Sequence, residues 1–238
     1  MAKKPSQFET ARTRGNRLYA RLHSEILTGR LRPGEALSET RVAEQHGMSR
    51  TPVREVFQHL AKEGLLRIVP QIGTFVAPIN LACVNASQFI REALECHAVL
   101  DAARHASRPQ VAALNEQIAA QAKAISAGDH IAFFALDETM HRLILEVSGH
   151  AGVWDLIASV KAQLDRVRYL SLEEQAWLTM IFRQHREIIA AIGAHDAVRA
   201  EGAMQQHLRT VFAAIERIAS AQSDFFEDTT PELDEKSA

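Results

Sequence analysis

The chain has 238 residues, two of them cysteines, and a formal net charge of −2. This length suits two ordinary domains, and Cys83 and Cys96 are too few for a disulfide framework or a zinc ribbon. No apolar run approaches the roughly 18 residues of a membrane helix and the first residues lack an apolar signal core, so we expect a cytoplasmic protein with no membrane segment.

Charge is distributed unevenly along the chain. Residues 1–78 hold 13 Lys and Arg against 7 Asp and Glu, a net of +6, whereas the remainder holds 14 against 22, a net of −8. A basic N-terminal module joined to an acidic body indicates that only the first part of the chain meets phosphate.

The chain begins with a polar stretch, residues 1–12, which we expect to be a flexible N-terminal segment. Residues 16–28 then predict a first helix, because their apolar side chains recur at helical spacing. Gly29 is placed to end that helix. We assign the first folded domain to residues 13–79.

Residues 38–76 have the pattern of a winged helix-turn-helix. Ser38 is a candidate N-cap of a short helix, and Gly47 allows the sharp turn that follows it. Ser49 is a candidate N-cap of a second helix, with Pro52 in the first turn, where its missing N–H costs nothing. The alternating segments 65–68 and 74–76 are predicted to be the two strands of a wing.

The second helix of this motif predicts a surface that reads DNA. Its apolar residues Val53, Val56 and Leu60 form an inward stripe, which leaves basic and hydroxyl side chains outward at its N-terminal end. A recognition helix contacts base edges from that end. Taken alone, Arg50 and Arg54 would favour a solvated helix face, but within this motif we predict that they contact double-stranded DNA.

From Leu81 to about Ala221 the pattern is helical, with few strand signals and apolar residues at spacings of three and four. Six helices are predicted, at 82–106, 109–127, 129–147, 150–170, 173–193 and 196–221. Their short connections predict antiparallel neighbours in a bundle over residues 80–222, followed by an acidic, disordered tail over 223–238. The expected fold class is mainly α, an N-terminal winged helix-turn-helix plus a C-terminal antiparallel six-helix bundle.

Four side chains of the helical part could hold a metal ion. Asp137 and His141 are four residues apart and share one face of a predicted helix. His185 and His207 are symmetric about residue 196, so an antiparallel hairpin of the last two helices brings them level. One carboxylate and three imidazoles suit a first-row divalent ion. The alternative, ordinary histidines without a ligand role, stays open because the chain has 11 of them.

Arg91 is the candidate for binding an organic ligand. It lies in the first helix of the bundle among apolar residues, where a guanidinium can fork onto a carboxylate. Glu95 follows four residues later, and spacing alone favours a simple Arg91–Glu95 pair on the surface.

These motifs resemble the GntR family of transcription regulators, in the FadR-like subgroup whose effector part is an FCD domain. The strongest match is residues 38–76, above all Met48-Ser49-Arg50-Thr51-Pro52-Val53-Arg54-Glu55, and the likeness continues through Arg91 and Glu95 to residue 221. Six effector helices resemble the VanR-type branch of that subgroup.

The resemblance implies roles for particular residues. The DNA contacts that it implies are Arg50, Thr51 and Arg54, with Ser49, Arg41 and the wing residues Gln71 and Gly73 beside them. The implied ligands of a divalent transition metal, zinc or nickel, are Asp137, His141, His185 and His207. Arg91 is implied to face an effector cavity that takes a small carboxylic acid.

The predicted function is that of a homodimeric repressor whose binding to a near-palindromic operator is controlled by a small carboxylate. Two alternatives remain at this point. The adjacent His195 and Asp196 could belong to a metal-dependent hydrolase of the HD type, although the next aspartate, Asp224, lies in the predicted tail. A metal-ion sensor would release DNA in response to the metal alone.

Overall fold

The computed structural model describes residues 7–227. Its N-terminal part consists of α1 (Gln7–Leu27), β1 (Ala36–Leu37), α2 (Glu39–Gln45), α3 (Arg50–Lys62), β2 (Leu66–Val69) and β3 (Gly73–Val76). The strands form an antiparallel sheet with β3 between β1 and β2. The apolar faces of α1, α2 and α3 meet the sheet in one core, so this part is the winged helix-turn-helix that the sequence predicts.

The structure corrects the prediction for this part in two places. Helix α1 begins at Gln7, so residues 7–12, expected to be flexible, are helical, while residues 1–6 lie outside the described residues. The residues before Gly15 are mostly good helix formers, and a single glycine weakens a helix without ending it. Strand β1 was not predicted, because two residues are too short to show an alternating pattern.

The second part is a bundle of helices. Its elements are α4 (Leu81–His105), α5 (Arg108–Ala127), α6 (His130–Val147), α7 (Val153–Val160), α8 (Ala162–Ser171), α9 (Gln175–Gly193) and α10 (Ala197–Ala221). Helix α4 packs against α6 and α10, and α5 packs against α6 and α9. No helix within residues 7–227 combines the length and the apolar character that crossing a bilayer requires.

The predicted count of six helices is wrong, since residues 7–227 contain seven in the bundle. The predicted helix 150–170 is interrupted at Lys161, whose backbone (φ −95°, ψ 2°) ends α7 and begins α8. The ammonium of Lys161 turns inward and contacts the carboxylates of Glu138 and Asp165. A lysine is an ordinary residue in a helix, so no residue near position 161 indicates this break. The six-helix count therefore no longer supports the assignment to the VanR-type branch.

Helix α8 contacts both parts of the molecule. Ala162 packs into the core of the winged helix, and the side-chain amide of Gln163 donates to the carbonyl of Gly64. Arg166 is 1% exposed and donates from Nη1 to the carbonyl of Ala77 at 2.7 Å. Burial lowers the pKa of Arg166 to about 10. Leu164 and other residues of α8 lie in a core with α10, so α8 joins the two parts.

Residues 223–227 are ordered, contrary to the predicted tail, and residues 228–238 lie outside the described residues. A short 3-10 helix, Ser223–Phe225, buries the ring of Phe225 to 3% exposure. The N–H of Ile79 donates to the carbonyl of Phe225 at 2.7 Å, and the N–H of Glu227 donates back to Ile79 at 3.1 Å. Arg32 of the winged helix lies 5.3 Å above the Phe225 ring. Although acidic residues surround it in the sequence, the apolar Phe225 thus holds residues 223–227 against the connection between the two parts at Ile79.

Candidate metal centre and nucleic-acid interface

The four predicted ligands meet in the middle of the helical bundle. Asp137 and His141 come from α6, His185 from α9 and His207 from α10, and all four side chains are buried. One ligand atom of each lies within 4.8 Å of the others. A zinc ion holds N and O ligands at about 2.0–2.2 Å. The four donor atoms are therefore close enough together for one such ion to lie among them.

Each imidazole has an acceptor behind it, on the side away from the centre. The Nδ1 contacts are His141 to Glu95 Oε2 at 2.5 Å, His185 to Gln121 Oε1 at 2.8 Å, and His207 to Gln184 Oε1 at 3.1 Å. The amide of Gln184 is oriented by donation from Nε2 to Thr210 Oγ1 at 3.0 Å. Acceptance by Gln121 and Gln184 places the proton of His185 and of His207 on Nδ1. The Glu95 carboxylate favours the same tautomer of His141, although Nδ1 of His141 makes no hydrogen bond within residues 7–227. Each Nε2 then presents a lone pair to the centre.

The lone pairs at the centre have no proton between them. His141 Nε2 lies 3.2 Å from His207 Nε2, and His185 Nε2 lies 3.0 Å from Asp137 Oδ1. The Nε2 of His185 makes no hydrogen bond to any residue in the described range. Burial lowers the pKa of His185 and of His207, which keeps the imidazoles neutral. Four atoms with lone pairs that face one point can bind a divalent cation, so these residues suit a transition metal.

Arg168 holds the remaining oxygen of the aspartate ligand. Its guanidinium contacts Asp137 Oδ2, Glu138 Oε1 at 2.6 Å and Asp165 Oδ1 at 2.7 Å. Burial alone would lower the pKa of Arg168, but these three carboxylates raise it well above its usual value. Burial likewise tends to raise the pKa of Asp137, and the charge of Arg168 holds it well below the usual range. Asp137 is therefore ionised and oriented before any ligand binds.

Arg91 does not form a surface pair with Glu95, because both are buried, at 2% and 1% exposure. Arg91 Nε donates to Glu95 Oε1 at 2.6 Å, and Nη2 reaches Glu95 Oε2 at 3.3 Å. Burial works against ionisation of Glu95, but Arg91 and His141 outweigh it and depress the pKa. Glu95 thereby links Arg91 to the metal-binding histidine candidate His141.

A cavity opens beside the four ligands. Its lining is Gln88, Arg91, Phe134, Asp137, Arg168, Ser171, Leu172, Trp177, Ile181, His207, Leu208, Thr210, Val211 and Ala214. The cavity volume is about 40 Å³, which is room for a few water molecules. The cavity thus has metal-ligand candidates at one end and a mostly apolar wall elsewhere.

The predicted DNA contacts all lie on the exposed surface of the winged helix, namely Arg41, Ser49, Arg50, Thr51, Arg54, Gln71 and Gly73. Ser38 caps α2 as predicted and accepts from the Arg41 N–H at 3.3 Å. Arg50 and Arg54 both pair with Glu39, whose Oε2 lies 3.4 Å from Arg50 Nη2 and 3.2 Å from Arg54 Nη2. Hydrogen bonding from Arg54 first, and then from Arg50, lowers the pKa of Glu39. A DNA backbone would compete with this carboxylate for the two guanidinium groups.

Sequence reasoning missed most of the outer partners of the site. The sequence indicates Glu95 only as a neighbour of Arg91, and it does not distinguish Arg168 from the other arginines of the helical part. Gln121 and Gln184 carried no signal, since a glutamine on a helix has no distinctive spacing. The structure buries Glu95 and Gln121, and buried polar groups of this kind need partners, which the histidines supply.

The pair expected for an HD-type hydrolase has a structural role. His195 Nδ1 lies 2.9 Å from the carbonyl of Ala103, and its backbone has a φ of 57° in the turn before α10. Asp196 caps α10 by accepting from the Arg199 N–H at 3.1 Å. Neither belongs to the group that could hold a metal ion.

Family models match both parts of the chain. Residues 14–76 match the model described as bacterial regulatory proteins, gntR family, and residues 88–210 match the FCD domain. An HTH-type transcriptional regulator from Streptomyces ambofaciens is 41% identical, over 90% of this chain and 90% of its own length. The HTH-type transcriptional repressor RspR of Escherichia coli is 34% identical, over 94% of this chain and 98% of its own length.

Solved structures share the fold. Escherichia coli McbR/YncC superposes with a TM-score of 0.71 at 22% identity, covering 86% of this chain and 97% of that protein. A GntR regulator from Rhodococcus sp. RHA1 gives 0.72 at 23% identity. The matched families and relatives are transcription regulators rather than enzymes. The chain belongs to the GntR family of bacterial transcription regulators, with an FCD domain following the DNA-binding winged helix.

Proposed function

We propose that this regulator is a repressor whose affinity for operator DNA is set by a small carboxylic acid, bound beside a divalent metal ion in the FCD domain. The convergence of three Nε2 lone pairs and one carboxylate on a single point carries the proposal. The functional units would be residues 13–79 for DNA and 80–222 for the effector. A regulator of this kind acts where the DNA is, in the cytoplasm.

A metal ion bound by Asp137, His141, His185 and His207 would supply a Lewis-acidic position for one carboxylate oxygen. Arg91 lines the same cavity and can donate to the second oxygen with the part of its fork that Glu95 does not use. Ligand binding changes DNA affinity only if the ligand prefers one arrangement of the winged helices. Helix α8 lies between the cavity and the winged helix, so it is placed to transmit that preference.

Replacing Arg91 tests the effector site. Arg91→Ala is expected to abolish the response of operator binding to carboxylic acids, because the donor to the second carboxylate oxygen is lost. It also leaves Glu95 buried and unpaired, so we expect a fall in metal affinity of about 10–100-fold, as for other outer partners of a metal site. Arg91→Lys keeps a charge beside Glu95 but loses the planar fork, and it should restore metal binding more than it restores the response to acid.

Fluorescence anisotropy with operator DNA at saturating metal measures this effect, since excess metal offsets the loss of affinity. Arg142→Ala, an exposed arginine of α6 paired with Glu146, serves as the matched control and should behave as wild type. An unchanged acid response in Arg91→Ala would remove Arg91 from the site. Release of DNA that follows metal concentration with no acid present would instead identify a metal-ion sensor.

A surface for homodimer formation lies on the outer face of α4. Phe89 is 77% exposed there and lines a groove with Ala93, Cys96 and Leu100. Two copies that pack such faces together would hide this apolar stripe and present two recognition helices to a near-palindromic operator. Phe89→Glu is expected to shift the protein from dimer to monomer in light-scattering measurements.

The control for this prediction is Ile131→Glu, which places the same charge on another exposed apolar residue, outside the groove. It should leave the dimer intact. A monomeric wild-type protein, or a Phe89→Glu variant that remains a dimer, would contradict the proposed interface.

A further inference from the structure

A connected group of buried charges surrounds the candidate metal centre. Its cations are Arg91, Lys161 and Arg168, and its carboxylates are Glu95, Asp137, Glu138 and Asp165. Lys161 contacts Glu138 and Asp165, while Arg168 contacts these two carboxylates and Asp137. Four carboxylates and three cations give the group a formal charge of −1.

Neighbouring charges do not change this total. Arg166 points to the other side of α8, where it donates to the carbonyl of Ala77. Arg217 lies over the ring of Trp177 beside the cavity, but it is neutralised by Glu174. His23 of α1 faces the group from the winged helix, and its burial favours the neutral imidazole.

A divalent ion at the four ligands would bring the formal charge of the site to +1. A ligand with one negative charge then makes the site neutral, whereas a ligand with two leaves an uncompensated charge. Such a charge is costly here because Arg91, Glu95, Asp137 and Lys161 are each at most 5% exposed, so water screens the group poorly. The charge balance therefore selects for a monoanion.

The cations beside the cavity are not free to bind a second carboxylate. Arg168 is fully engaged by three protein carboxylates, and its contact with Asp137 makes it a positioning residue for a metal ligand. The wall away from the ligands is largely apolar, being formed by Phe134, Leu172, Trp177, Ile181, Leu208, Val211 and Ala214. The other polar residues of the lining are uncharged, and Gln88, Ser171 and Thr210 already donate to backbone carbonyls. A second anionic group would therefore meet this wall without a cation to pair with.

We infer that the effector is a monocarboxylate with a small apolar body, and that the site discriminates against dicarboxylates. The inference rests on the proposed function and adds to it the charge and polarity of the ligand. It also gives Glu138 a part in setting that charge, although Glu138 neither lines the cavity nor contacts the ring nitrogens of the metal-ligand candidates.

Calorimetric titration of the zinc-loaded protein with two matched pairs of acids tests this inference. The pairs are butyrate with succinate and benzoate with phthalate, which differ within each pair by one carboxylate. We expect the monocarboxylate of at least one pair to bind more tightly than its partner by roughly tenfold or more, as expected for one uncompensated buried charge. Equal or tighter binding of the dicarboxylates would overturn the inference.

A variant of Glu138 separates charge from shape. Glu138→Gln keeps the shape of the side chain and one acceptor oxygen, which can serve either Arg168 or Lys161, but it raises the charge of the loaded site by one. The ratio of succinate to butyrate affinity should therefore rise by roughly tenfold. A purely structural effect would weaken both acids alike and leave the ratio unchanged, which would count against the inference. Glu146→Gln, on the exposed face of the same helix, is the control and should leave the ratio unchanged.

The outcomes distinguish this inference from the proposed function. Tight, metal-dependent binding of succinate or phthalate would leave the proposed effector site standing and overturn only the class of ligand. Zinc-loaded protein that binds none of the four acids would overturn both.

Discussion

His185→Ala and His207→Ala are expected to remove most of the metal from the purified protein. Each variant deletes one of four ligand candidates whose donor atoms lie within 4.8 Å of one another. Loss of an outer partner costs about 10–100-fold in metal affinity, and loss of a ligand itself should exceed that range. Elemental analysis of wild type should give about one divalent ion per chain, and both variants should give far less.

Thermal unfolding provides a second measure of the same site. A metal that binds only the folded state, present at 1,000 times its dissociation constant, stabilises that state by about 4 kcal/mol. A chelator should therefore lower the melting temperature of wild type and barely change that of the variants. His97→Ala alters an exposed histidine outside the group and should match wild type. Wild-type protein that is as free of metal as both variants would show that these histidines serve only packing.

Arg50→Ala and Arg54→Ala are each expected to weaken operator binding by about 1–3 kcal/mol if their contacts to bases are bidentate. Both guanidinium groups lie at the exposed N-terminal end of α3, where a recognition helix meets base edges. Glu39 holds both in the free protein, so Glu39→Gln should strengthen DNA binding by releasing them and by removing a charge that repels phosphate.

Anisotropy titrations of operator and unrelated DNA at several salt concentrations measure these effects. A contact to phosphate alone would reduce the salt dependence and weaken both DNAs alike, whereas a contact to a base would weaken the operator more. Arg199→Ala, an exposed arginine of α10 paired with Glu187, is the control. If all three arginine variants bind the operator equally well, α3 does not read DNA through Arg50 and Arg54.

The elements that the sequence predicted well are those whose signals are local. Ser38 caps α2 and the wing strands pair across residues 70–72, because capping and alternation are properties of a few neighbouring residues. The sequence also predicted that His185 and His207 lie opposite each other, since the short turn at residue 196 fixes the register of the helical hairpin. Their rings lie 4.6 Å apart between centroids.

The features that the sequence did not reveal depend on contacts between distant segments. The break at Lys161 is accompanied by contact of its ammonium with Glu138, which belongs to another helix. The order of residues 223–227 comes from Phe225 packing on the winged helix, and nothing near Phe225 in the sequence indicates this. Burial of the Arg91–Glu95 pair likewise depends on the helices that cover it, because the same spacing describes a surface pair.

The hydrogen bond between Ile79 and Phe225 has a consequence for the order in which the parts of the protein fold. During synthesis the N-terminal domain leaves the ribosome first and generally folds as a unit. The partners of the connection at Ile79, which are Phe225 and Glu227, follow α10 in the chain, so they are made only after the whole helical bundle. In a nascent chain, therefore, the DNA-binding domain is already folded while Ile79 still lacks its hydrogen-bond partners. The two domains take their final orientation only once translation has passed residue 227.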